Sequence, residues 1–131
     1  MIGLDTNVLV RYLTQDDAAQ ARRVDALINA AADDETRLYV DDIVLCELVW
    51  VLRAAYRLSK PTIIDALDKL ISTSAFSFDD RELLRATLSD FNAGSGDFAD
   101  YLIGRRNLRA GCEQTMTLDR QLKAHPAFSV V

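Results

Sequence analysis

Ile2-Gly3-Leu4-Asp5-Thr6-Asn7-Val8-Leu9-Val10 is a short apolar run, a carboxylate, two polar residues and a second apolar run. The first run reads as a strand ending at Asp5, and the second as part of a helix over residues 8–14. The same alternation recurs down the chain. Arg37-Leu38-Tyr39-Val40, Ala75-Phe76-Ser77-Phe78, Gln114-Thr115-Met116-Thr117 and Phe128-Ser129-Val130-Val131 read as further strands. Helical patterns fill the gaps. Over 16–32, Ala21, Val24, Leu27, Ile28 and Ala31 form one apolar stripe. Asp41 or Asp42 suits the cap of a helix running to about Tyr56. Pro61 fits the first turn of the next, where Ile63, Ile64, Leu67, Leu70 and Ile71 recur at helical spacing. Asp79 or Asp80 opens another, with Leu84, Leu88 and Phe91. The Gly94-Ser95-Gly96 loop feeds a helix over 97–108, and a short one follows over 120–124. This order implies an α/β domain with a mainly parallel sheet. In such sheets ligands bind beyond the carboxyl ends of the strands, so chemistry is expected there.

The chain has 131 residues, half of them apolar. That predicts a single globular domain over 1–131 with a core of its own. The longest apolar run, 43–52, is broken by Glu47, so no membrane span is expected. Met1 leads to Asp5 without a basic leader, and a cytoplasmic location is expected. Cys46 and Cys112 lack metal-ligand spacing and read as small core residues. The net charge of −5 argues against non-specific nucleic-acid binding. It leaves room for a nuclease whose acids hold cations, because bound metal reverses the local sign.

Five acids carry the chemical argument. Asp5 stands at a strand end among core-type residues; it reads as a helix cap or as a site acid placed near the interior. Glu47 is the only ionisable residue in its apolar stretch, which predicts a buried helix. A carboxylate there needs a cation, hydrogen bonds or a raised pKa. A buried pair with Arg11 or Arg53 contributes little net stability, so metal or catalytic duty is favoured. Asp97 and Asp100, spaced i, i+3, share a helical face, and Gly104 extends it with room for a ligand. Asp97 also suits an N-cap. Asp119 follows another strand and gains meaning by sharing the strand-end edge with Asp5. Hard oxygen donors in this number suit Mg²⁺ or Mn²⁺. Asp5, Glu47, Asp100 and Asp119 are therefore the candidate catalytic acids, and all five the candidate metal ligands. Thr6 and Asn7 offer a hydroxyl and an amide to orient Asp5 or a water, and Thr117 does the same for Asp119. Arg105, Arg106 and Arg109 fit either RNA phosphates or a solvated helix face. His125 reads as a surface residue, and Trp50 with the other aromatics as core. No glycine-rich phosphate loop and no Ser/His/Asp set is present.

The order of these motifs resembles the PIN-domain family. Ile2-Gly3-Leu4-Asp5-Thr6-Asn7-Val8-Leu9 is similar to the family's opening, and Glu47 in its helix to the second acid. Asp97-Phe98-Ala99-Asp100-Tyr101-Leu102-Ile103 resembles the third motif, with Asp100 at the common position and Asp97 at an acid of one subset. Thr117-Leu118-Asp119 resembles the fourth. The resemblance covers essentially the whole chain. It implies a three-layer α/β/α sandwich with about five strands. Stand-alone members of this length are similar to VapC toxins, which implies an Mg²⁺- or Mn²⁺-dependent endoribonuclease acting on tRNA or rRNA. It further implies a homodimer and a VapB-type antitoxin. Gly104-Arg105-Arg106 departs from the small apolar residues of many relatives. Two rivals stand beside this reading. An aspartyl-phosphate phosphatase of the haloacid-dehalogenase type expects a second Asp where this chain has Asn7. A catalytically weak PIN module that only binds a partner would have no use for a complete acidic set.

Overall fold

The computed structural model describes all 131 residues as two compact units, 1–81 and 82–131. In the first, β1 (Ile2–Gly3), β2 (Leu38–Tyr39) and β3 (Phe76–Ser77) form a parallel sheet in the order β1-β2-β3. Gly3 is in register with Tyr39, and Tyr39 with Ser77. Four helices connect the strands: α1 (Thr6–Thr14), α2 (Ala18–Asp33), α3 (Asp42–Ala54) and α4 (Lys60–Ser72). Each begins where a short polar side chain occupies an extended backbone and accepts an N–H. Asp5 caps α1, Asp17 caps α2, Asp41 caps α3 and Ser59 caps α4, with Pro61 in the first turn. Leu9, Leu38, Leu45, Leu48, Leu52, Ile63, Leu67, Ile71 and Phe76 are fully buried. Their burial is what pulls the amphipathic helices onto the sheet. α1 packs on both α2 and α3.

The second unit begins one residue into α5 (Arg81–Ala93) and continues through α6 (Phe98–Arg109), β4 (Thr115–Thr117), a 3₁₀ turn (Arg120–Leu122) and β5 (Phe128–Val130). β4 and β5 pair in parallel. Phe91 meets Phe98 edge-on at 6.0 Å, and Tyr101 meets Phe128 at 6.4 Å. A β-carbon on Gly104 would lie 2.7 Å from the Phe128 ring. Gly104 therefore lets α6 approach β5 closely; it does not open room for a ligand, as its position beside Asp100 suggested.

All five expected strands are present, and every strand pair is parallel, in groups of three and two. No helix is long and apolar enough to cross a membrane. Side-chain exposure departs from expectation at several places. Trp50 is 68 % exposed. Cys112 is exposed, and Cys46 only half-buried, its thiol pushed up to about 11 by burial. Glu47 is exposed, so α3 is not buried all round. His125 is another, half-buried between the Asp90 carboxylate and the Tyr101 and Phe128 rings.

Candidate metal-binding carboxylates

Parallel pairing sets the first pair of acids. β1 ends at the carboxyl edge of its sheet, Leu4 N–H still bonds Tyr39 O at 2.9 Å, and Asp5 follows at once. Its extended backbone turns the chain into α1, and its Oδ1 accepts the Thr6 N–H at 2.8 Å. Asp5 is exposed rather than set in the interior. The buried residue is its neighbour: Thr6 is 5 % exposed, and its hydroxyl donates to Glu47 Oε2 at 3.0 Å. One threonine thus ties the acid that starts α1 to the acid in the middle of α3. The sequence assigned this hydroxyl to Asp5 or a water; it serves Glu47. The expected alternatives for Glu47, a pair with Arg11 or Arg53, have a clear answer for Arg11. Its guanidinium is taken by Gln20, Asp16 and Tyr56. The Tyr56 and Thr14 hydroxyls, donating to Asp16, hold that carboxyl below its usual range. Asn7 is exposed and lines an open groove between α1 and α2 with Val8, Arg11, Gln20, Arg23 and Leu27.

In the second unit Asp97 and Asp100 form a capping box at the start of α6. The Asp97 N–H donates to Asp100 Oδ2 at 2.9 Å. This reciprocal arrangement, together with the helix N-terminus, lets two like charges share one turn. The loop before them is shaped by a buried phenol: Gly96 N–H donates to the Tyr101 hydroxyl at 3.0 Å. Asp119 leaves the end of β4 and caps the 3₁₀ turn, Oδ1 accepting from Gln121 N–H at 2.9 Å. Thr117 Oγ1 accepts the Asp119 N–H at 3.0 Å, so it fixes the backbone that carries the acid. Asn107 donates to Thr115 Oγ1 at 2.9 Å and ties α6 to β4.

The bonds named for Asp5, Glu47, Asp100 and Asp119 each engage one carboxylate oxygen, leaving the other for a cation. All-oxygen donors anchored in this way fit Mg²⁺ or Mn²⁺ in kind. No group of three or more His, Cys, Asp or Glu side chains is gathered in the structure closely enough to hold an ion by itself. What the structure brings together is Asp5 with Thr6 and Glu47, Asp97 with Asp100, and Asp119 with Thr117.

One polar cluster carried no sequence signal. Asp90, on α5, receives Arg105 Nε at 2.7 Å and Nη2 at 2.9 Å, and His125 Nε2 at 3.0 Å. His125 Nδ1 accepts the Ala127 N–H at 3.1 Å, which leaves its proton on Nε2, facing Asp90. Burial pushes the Asp90 carboxyl up, but the bonds and charges of Arg105 and His125 outweigh it and hold it below the usual range. Arg105 is thus committed to Asp90, while Arg106 is half-exposed and Arg109 exposed on the same helix.

The chain is similar to a VapC ribonuclease of Aquifex aeolicus (strain VF5), with 20 % identity over 120 residues that cover 92 % of this chain and 88 % of that protein. Residues 2–127, nearly the whole sequence, match the PIN domain. The chain belongs to the PIN domain family.

Proposed function

We propose that this PIN domain is a metal-dependent endoribonuclease that hydrolyses phosphodiester bonds in tRNA or rRNA, the toxin of a VapBC-type pair. The observation that carries the proposal is the Asp5–Thr6–Glu47 arrangement: two acids 42 residues apart in sequence, bonded to one buried threonine. A capping role accounts for Asp5 but not for Glu47, which sits mid-helix and caps nothing. In the proposed enzyme Asp5, Glu47 and Asp100 are the principal ligands of Mg²⁺ or Mn²⁺, with Asp97 and Asp119 assisting. The ion supplies Lewis acidity toward the phosphodiester and its attacking water. Thr6 holds Glu47 in one rotamer, and the Asp97 N–H does the same for Asp100. The carboxylates themselves make metal indispensable, since without a cation they repel the anionic substrate. Both compact units act as one domain in this proposal. A VapB-type antitoxin, a homodimer and a cytoplasmic location belong to it too, on the strength of the VapC similarity.

The test is cleavage of total RNA by the purified protein in Mg²⁺, in Mn²⁺ and in EDTA, with cleavage ends mapped. Defined ends in either metal and none in EDTA are expected, and loss of cleavage in Asp5→Asn, Glu47→Gln and Asp100→Asn with the fold retained. Full activity in EDTA refutes the metal mechanism.

A further inference from the structure

The Gly94-Ser95-Gly96 loop is built around one phenol. Neither Gly94 nor Gly96 takes a left-handed backbone, so what the two glycines supply is space. A β-carbon on Gly94 would collide with the Tyr101 hydroxyl, and one on Gly96 would strike Leu122 and lie 3.1 Å from that hydroxyl. The phenol fills the seat they leave. Tyr101 is 2 % exposed, its ring lies 5.5 Å from that of His125 and 6.4 Å from that of Phe128, and its hydroxyl accepts the buried Gly96 N–H at 3.0 Å. Gly96 directly precedes the cap of α6, and Tyr101 follows that cap by four residues. Contact between these two positions sets the angle at which a chain enters a helix. Here the contact is a hydrogen bond, and the next N–H along is held as well, Asp97 donating to Asp100 Oδ2 at 2.9 Å. Two successive N–H groups are thus fixed by two successive side chains, Tyr101 and Asp100. Leu122, beside Gly96, belongs to the 3₁₀ turn that Asp119 caps.

We propose that Tyr101 is a positioning residue of the metal site: by holding the Gly96 N–H, its hydroxyl fixes the Asp97–Asp100 pair and raises its affinity for Mg²⁺ or Mn²⁺. This rests on the metal-binding reading of those acids. The bond from Asp97 engages one oxygen of Asp100 and leaves the other to the ion. A loop free to depart from this geometry holds it only part of the time, and the apparent Kd for the ion rises by the inverse of that fraction. Removing the hydroxyl leaves a buried N–H without its acceptor, which favours such departures. The Tyr101 ring packs α6 against β5 with or without its oxygen; the oxygen is what reaches the loop of the acids.

Tyr101→Phe keeps the ring and removes the hydroxyl. The control is Tyr56→Phe, which removes a phenol bonded to Asp16. Mn²⁺ is titrated into each full chain with the free ion read by electron paramagnetic resonance. Amide hydrogen exchange is followed at residues 96 and 97 without metal, and RNA cleavage is measured against Mn²⁺ concentration. Tyr101→Phe should exchange both amides roughly tenfold faster, bind Mn²⁺ roughly three- to tenfold more weakly, and recover the parent kcat at saturating Mn²⁺. Tyr56→Phe should match the parent in all three. Parent-like Mn²⁺ affinity in Tyr101→Phe, whatever its melting temperature, overturns the positioning role and leaves the metal site standing. An equal weakening in Tyr56→Phe, or a loss of kcat in Tyr101→Phe that excess Mn²⁺ does not restore, overturns it too. If the parent binds Mn²⁺ but cleaves no RNA, the ribonuclease reading fails, and the Mn²⁺ titration with amide exchange alone decides. A parent that binds no Mn²⁺ sinks the metal reading and the positioning role together.

Discussion

A buried hydroxyl bonded to an exposed carboxylate makes Thr6 the most informative single residue of the proposed site. Its backbone is committed to the start of α1 and its side chain to Glu47, so one substitution separates the two roles. Thr6→Val keeps the shape and removes the donor. A hydrogen bond to a charged group contributes about 1.5–3 kcal/mol, and the exposure of Glu47 puts this one at or below the lower end. Cleavage should fall roughly tenfold, with stability lowered by no more than about 1.5 kcal/mol, and Thr6→Ser should recover both. Kinetics of the three proteins check this; a Val variant as active as the parent would show that Glu47 needs no anchoring. Asp90 is the other residue with a defined consequence. Its carboxyl is depressed in the folded chain, so it contributes stability above the unfolded pKa of about 3.9. That contribution is lost as pH falls through the lower, folded value. Asp90→Asn should be less stable at neutral pH by about 1–3 kcal/mol, and the gap should close in acid. Urea unfolding at both pH values tests it, and equal stability at neutral pH contradicts the argument.

At the scale of elements, the interlock of α6 with β5 rests on a missing side chain. Gly104→Ala puts a methyl group into the Phe128 ring, which has Tyr101 and His125 around it and little freedom to yield. Overpacking of this kind costs about 1–3 kcal/mol, more than the gain in helix propensity returns. A lowered melting temperature is expected, and a raised one would mean the ring gives way. The sequence placed every strand and helix because two signals coincide here: apolar runs too short to be helices, and Asp or Pro where helices start. It misplaced exposure on α3. Ten nearly uninterrupted apolar residues carry no polar face to mark the outside, so Ile43 and Trp50 could not be distinguished from Val44 and Leu48. The acids themselves were legible, since Glu47 interrupts that run and Asp5 and Asp119 follow strands. Their partners were not. The Thr6–Glu47 bond spans 41 residues, and the Asp90–Arg105–His125 cluster joins three segments by packing alone.

For the molecule as a whole, the acids outnumber the bases by five, and the proposed ion is the counterweight. A ligand that binds only the folded chain raises its stability by an amount fixed by its concentration relative to Kd, about 2.7 kcal/mol at a hundredfold excess. Mn²⁺ should therefore raise the melting temperature of the wild-type chain, and EDTA should reverse it. The variants make the test specific. Asp5 and Glu47 lie in the first compact unit, Asp100 and Asp119 in the second. If acids of both stretches serve one ion, Asp5→Asn and Asp100→Asn must each abolish the shift, because losing either principal ligand weakens the same binding event. Asp97→Asn and Asp119→Asn should reduce it less. Two independent ions predict otherwise: each variant would forfeit part of the shift, and the double variant the sum. A shift that survives both single substitutions unchanged would place the metal elsewhere on the chain and remove the chemical basis for ribonuclease activity at these residues.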